Sequence, residues 1–215
     1  MRLLKNKILG ILLISLLFKP LWLFNNQNLG QPADDMYHWL HSATIAFDFD
    51  FDYKTDYEIE NGTFNQETNV PSSVPGAGYL SAPFVFLFSL LDKLFINSEN
   101  FSRTNPVGSF AYLGFFFAGV IYTYLGFYFL HKIIKKYNQK SLNLILFCGL
   151  LSTLVHFVTT RFLMPHAIEF FIASCILYIF EKNNKKSLGN MEITSLAILY
   201  FALGITRPST FLYST

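Results

Sequence analysis

The stretch from Ser109 to Leu130 runs for 22 residues without a single charge and ends where Lys132, Lys135 and Lys136 begin. As a helix it measures about 33 Å, enough to cross a hydrocarbon core about 30 Å thick. Such a block cannot present a polar face to water, so the chain is expected to fold within or against a bilayer. Composition agrees: 52% of the residues are hydrophobic and 14% charged, where a soluble domain carries roughly 25% charge. The expected fold class is an all-α polytopic membrane protein.

Four further blocks suit spans. Ile8 to Phe24 covers 17 residues after Arg2, Lys5 and Lys7. A cleaved signal peptide is the rival reading, because Ile8 to Phe18 fits an apolar signal core. No clear small-x-small cleavage site follows, which favours an uncleaved first helix at residues 1–24. With Ser109 to Leu130 (109–131), the blocks at 142–160, 162–181 and 193–206 bring the expectation to about five transmembrane helices. Cys148 and Cys175 both lie in apolar blocks without metal spacing and read as core filler.

Charge orients the chain. Lys132, Lys135, Lys136 and Lys140 follow one span, and Lys182, Lys185 and Lys186 follow another. Short loops rich in Lys and Arg mark the cytoplasmic side. The block Tyr79 to Ile96 is long enough to cross, but a crossing there would put both lysine clusters outside. It also contains Asp92, and an ionised Asp at a helix centre costs about 2.5–3.5 kcal/mol on insertion scales. Residues 79–96 are therefore expected as an interfacial or re-entrant helix. The N-terminus is then cytoplasmic, and residues 25–107 form a large outer loop holding 11 of the 14 acidic residues. Residues 61–78, with Pro71 and Pro75, read as turn-rich. Long structured loops commonly carry function.

Three groups in or near that outer side could carry chemistry. Pro32 and Asp34 mark a helix start, and Asp34, His38 and His41 then share one face. One reading has Asp34 capping a surface helix whose Tyr37 and Trp39 rest among lipid headgroups. The other makes Asp34 a general base beside Asp35, or Asp34, His38 and His41 ligands of a divalent metal. Phe47 to Tyr53 alternates aromatic and acidic residues, as an amphipathic strand or lipid-facing turn does. Asp48, Asp50 and Asp52 match the start of a calcium loop, but Tyr53 stands where that loop needs Gly and Ile59 where it needs Glu. Arg161, His166 and Glu169 form an outer corner between two spans, and Arg207 emerges on the same side. As a bland turn, this corner would only meet lipid phosphate. As a site, its guanidiniums suit an anionic ligand, with His166 and Glu169 as a place for a metal.

In this order, the elements resemble the GT-C class of integral membrane glycosyltransferases. The likeness is to the family 39-like group related to protein O-mannosyltransferases and the lipid A aminoarabinose transferase. Asp34-Asp35 is similar to that group's acidic pair, although its second member is commonly Glu. Residues 45–57 resemble the acidic stretch that follows. Pro75-Gly76-Ala77-Gly78 leading to Ala82-Pro83-Phe84 is similar to its Pro-x-Gly element and juxtamembrane helix, with Ser72, Ser73 and Val74 where relatives show Lys or His. Met164-Pro165-His166-Ala167 resembles its Met-Ser-His-Ala type corner.

The resemblance implies transfer of a sugar from a polyprenyl-phosphate donor to a lipid, glycan or protein acceptor at the outer face of a bacterial inner membrane. Asp34 would be catalytic and Asp35 a supporting acid. The leaving phosphate would be met by Arg161, Arg207 or a metal near His166 and Glu169. Members of the class are longer, so the chain reads as the N-terminal part of such an enzyme. The alternative is a non-catalytic membrane subunit or carrier of lipid-linked sugars on the same scaffold. A transporter would need polar or broken helices at mid-bilayer, and nothing in the sequence implies a nucleic-acid partner.

Overall fold

The computed structural model describes residues 33–53, 71, 73–95, 106, 108–137, 149, 152–184 and 187–209. The expected first helix and residues 142–148, with Cys148, lie outside the described residues. All described elements are helical. They are α1 (Ala33–Ala43), a π-helical turn (Thr44–Asp48), α2 (Gly76–Phe95), α3 (Phe110–Tyr137), α4 (Thr153–Thr159), α5 (His166–Lys182) and α6 (Asn190–Thr206).

The charge-free block forms α3, which continues to 28 residues and carries the lysines in its last turns. Its start is unusually well satisfied. Asp92, near the end of α2, accepts from the N–H of Phe110 and of Ala111, each at 2.7 Å. Ser109 Oγ accepts from Tyr112 N–H at 3.0 Å. Three of the four N–H groups that a helix start leaves open are thereby paired, and the carboxylate sits at the positive end of the helix dipole. At the other end of α2 the Tyr122 hydroxyl donates to the Leu80 carbonyl, so α2 and α3 form an antiparallel pair.

Helix α5 runs parallel to α3: Phe162, just before α5, packs on Phe116, Gly126 lies on Phe170, and Lys136 pairs with Glu181 at 3.5 Å. α6 returns antiparallel, tied by Lys182–Glu192 at one end and Arg207–Glu169 at the other. Lys132, Lys135 and Lys136 of α3 and Lys182 of α5 consequently share one end of the bundle. The His166, Glu169 and Arg207 cluster lies at the opposite end of α5 and α6.

Two cores hold the assembly. One gathers Met36, Trp39, Leu40 and Ala43 of α1 with Val85, Tyr112, Phe115, Phe116 and Phe162. The other joins Ala77 of α2 to Ile168, Ile172 and Ile176 of α5 and Leu196 and Leu203 of α6. Trp39 is 0% exposed and meets Tyr112 edge-on at 5.8 Å. It is a core residue and not the headgroup aromatic of the bland sequence reading. The reason is the stripe Met36, Trp39, Leu40 and Ala43, whose helical spacing turns that face inward.

Several boundaries differ from expectation. α2 and α3 are long and apolar enough to cross a membrane by length and composition; α6 is apolar but shorter, at 17 residues. Within the expected span 142–160, the described helix is the seven-residue α4, opened by Ser152, whose hydroxyl accepts from Leu154 N–H. The expected span 162–181 begins at His166, because residues 160–165 turn the corner first. Gly76, Ala77 and Gly78 are helical and not part of a turn. A Cβ on Gly76 would stand 2.6 Å from the backbone of Ile205 and Thr206, and one on Gly78 would strike His41 Cβ and stand 2.6 Å from the His38 carbonyl oxygen. These glycines let α2 touch α6 and α1 at backbone distance.

Candidate functional site

The corner between α4 and α5 is built by local hydrogen bonds. The N–H groups of Thr160 and Arg161 both donate to the His156 carbonyl, and Met164 N–H donates to the Arg161 carbonyl. This closes the end of α4 and turns Arg161 back towards α1. There its Nη2 lies 3.0 Å from Asp35 Oδ1 and its Nε 3.4 Å from Oδ2, a two-point contact between residues 126 positions apart. Met164 Sδ accepts from the same Nη2 at 3.7 Å. The guanidinium is positioned by one edge and keeps another for a ligand.

A second charged group forms where α6 ends. Arg207 Nη1 donates to Glu169 Oε2 at 2.9 Å and lies 3.2 Å from His166 Nδ1. His166 Nδ1 also lies 3.5 Å from Glu169 Oε2, so the imidazole, the carboxylate and the guanidinium form one cluster. The His166 ring stacks on Phe157 with centroids 3.8 Å apart, which fixes its plane. The Arg161 and Arg207 side chains are 31% and 42% exposed, while Asp35 and Glu169 are 14% and 16% exposed. The carboxylates thus sit inside and the cations face outward, where each guanidinium can donate to an anion.

His166 and Glu169 are also the expected place for a metal. The cation there is the Arg207 guanidinium, which is bonded to both groups and would repel a divalent ion. The other expected metal ligands are Asp34, His38 and His41. His41 is fully buried, with Nε2 donating to the Ser73 carbonyl at 2.9 Å and Nδ1 accepting from the Tyr53 hydroxyl at 2.7 Å. Tyr53 in turn accepts from the Tyr79 hydroxyl at 3.0 Å. Both ring nitrogens are used, and burial pushes the His41 pKa below its ordinary value, with the Ser73 bond pulling the other way. His38 is buried one turn earlier. Among the described residues no three His, Cys, Asp or Glu side chains are grouped to hold a metal ion.

Asp34 lies in the first turn of α1 beside Asp35, and its side chain lies outside the described residues. The alternating stretch is a turn and not a strand. After the π-helical turn, Phe49 adopts a left-handed conformation with φ 60°. Asp50 Oδ1 accepts from the Thr44 hydroxyl and the Asp52 N–H, each at 3.1 Å, and so braces its own turn. The His41, Tyr53, Tyr79 and Ser73 chain escaped the sequence reading, since Tyr53 registered only as a misfit in a calcium loop.

Comparison with known families, with curated proteins and with solved structures returns no match.

Proposed function

We propose that the chain is a GT-C type membrane glycosyltransferase that moves a sugar from a polyprenyl-phosphate donor to an acceptor at the outer membrane face. The observation that carries this reading is the Asp35–Arg161 contact. It joins the helix that opens with the acidic pair to the arginine corner, two elements a transfer site needs side by side. In the reaction, the acceptor hydroxyl oxygen bonds to the anomeric carbon as the bond from that carbon to the phosphate oxygen breaks. Asp34 takes the hydroxyl proton. The charge growing on the leaving phosphate is met by Arg161 or Arg207. The bundle is N-terminus inside in this reading, with the lysine end cytoplasmic and the arginine end outside.

A second reading, a non-catalytic carrier or subunit for lipid-linked sugars, draws on the fact that each arginine is already neutralised by a carboxylate. Asp34→Asn separates the two. The transferase reading expects sugar transfer by membranes carrying the protein to fall to background while donor binding and membrane insertion persist. Retained transfer removes Asp34 from the chemistry, and donor binding without any transfer by the unsubstituted protein favours the carrier.

A further inference from the structure

The turn after α1 has properties that the transfer site does not use. Phe49 and Phe51 are 72% and 66% exposed at its tip. In water this is unfavourable twice over for Phe49, whose left-handed backbone is one that bulky residues rarely adopt. The turn is nevertheless well held: Asp50 clasps Thr44 and Asp52 N–H, and the Thr44 hydroxyl also reaches the Asp52 carbonyl. A floppy loop would not carry such internal bonds, so the two rings are displayed by a built element.

Their neighbours indicate what they face. Phe49 packs edge-on against Phe86 at 5.4 Å and Phe51 against Tyr79 at 5.5 Å. Tyr79, Pro83, Phe86, Leu90 and Leu94 recur at helical spacing on one side of α2, with Leu87 flanking them. Leu87, Leu90 and Leu94 are exposed, and α2 is apolar enough for a membrane. The two phenylalanines therefore extend a continuous apolar stripe, while the exposed Asp50 and Asp52 border it with charge.

We infer that residues Thr44 to Tyr53 form a membrane hook, in which Phe49 and Phe51 enter the boundary between headgroups and acyl chains and Asp50 and Asp52 stay in the wet headgroup layer. The occupant of this surface is the lipid bilayer. The rings prolong the outward stripe of a membrane-capable helix, and the alternation of aromatic and acidic residues matches the polarity step of the interface. The inference rests on the outward face of α2 meeting the membrane and is independent of sugar transfer.

The test uses single tryptophan reporters, Phe49→Trp and Phe51→Trp, in the whole chain reconstituted into phosphatidylcholine vesicles, each read as a difference from the unsubstituted protein. Leu90→Trp reports on α2 itself. Lipids brominated near the carbonyl end of the acyl chains are expected to quench Phe49→Trp and Phe51→Trp about twofold, and lipids brominated near the methyl end to quench them less. Leu90→Trp quenched while both turn reporters respond only to aqueous iodide overturns the hook and leaves α2 at the membrane. No quenching at any of the three overturns the hook and the placement of α2 together. Turn reporters shielded from lipid and iodide alike, with protein concentration controlling the shielding, would mean that a second copy covers the turn, which also overturns the proposal.

Discussion

Arg161 and Asp35 meet with Nη2 and Oδ1 3.0 Å apart, although one lies in the corner before α5 and the other in the first turn of α1. The pair is half-shielded, so its worth falls between the small value of exposed pairs and the larger cost of stranding a buried charge. Asp35→Asn and Arg161→Gln should each destabilise the protein in detergent by about 1–2 kcal/mol. The double variant should lose less than the sum of the two. A double-mutant cycle on thermal unfolding measures this, and strict additivity would mean that the two side chains do not interact.

Glycine substitutions should divide sharply by position. Gly78→Ala drives a Cβ into His41 and the His38 carbonyl, and backbone atoms cannot give way as a flexible side chain can. The expected loss is about 1–3 kcal/mol, with α1 displaced from α2. At Gly119 the nearest atom to a new Cβ is 3.9 Å away. Gly119→Ala should therefore be neutral or stabilising by up to about 1 kcal/mol through helix propensity. Unfolding midpoints of the two variants provide the comparison.

Asp92 gives a third prediction. Its carboxylate closes two N–H groups at the start of α3, so Asp92→Ala should cost about 1–2 kcal/mol and Asp92→Asn distinctly less. Hydrogen exchange at Phe110 and Ala111 should rise in the Ala variant before the middle of α3 is affected. Unchanged exchange there would show that the α3 start is held by something other than the carboxylate.

His41 makes stability depend on pH in a defined direction. Its neutral ring donates to Ser73 and accepts from Tyr53, and burial lowers its pKa. Above about pH 6.5 the ring is neutral in the folded and the unfolded chain alike and contributes no slope. Below that value the unfolded chain takes up the proton first, so stability falls with acidification until the lowered folded value is passed, and then levels off. Comparing unfolding midpoints of the unsubstituted protein and His41→Gln from about pH 7.5 to 5 isolates this contribution, because the variant lacks it. Identical slopes would remove His41 as the origin.

The sequence was most readable where one physical signal dominated. The absence of charge between Ser109 and Leu130 determined α3, and the lysines at its end, shared with Lys182, marked one end of the bundle. The link between Asp35 and the corner was legible only as a shared side, because sequence spacing cannot bring together residues 126 positions apart. Other signals were ambiguous in kind. Alternation from Phe47 to Tyr53 is produced equally by a strand and by a turn that exposes its rings. Gly76 and Gly78 read as turn residues because the same lack of a Cβ serves turns and close helix contacts alike. Trp39 misled because amphipathic aromatics suit both headgroups and cores, and only the apolar residues flanking it by helical spacing decide. Asp92 was weighed as a burial cost when its partner, the start of α3, was not yet in view.

If the corner binds the phosphate of a polyprenyl-phosphate donor, equilibrium binding of polyprenyl phosphate to the reconstituted protein depends on its arginines. Arg161→Gln and Arg207→Gln should each weaken binding about tenfold or more, as expected for loss of a charged hydrogen-bond donor to phosphate, with the helical content of each variant intact. Affinity unchanged in both variants would contradict the account.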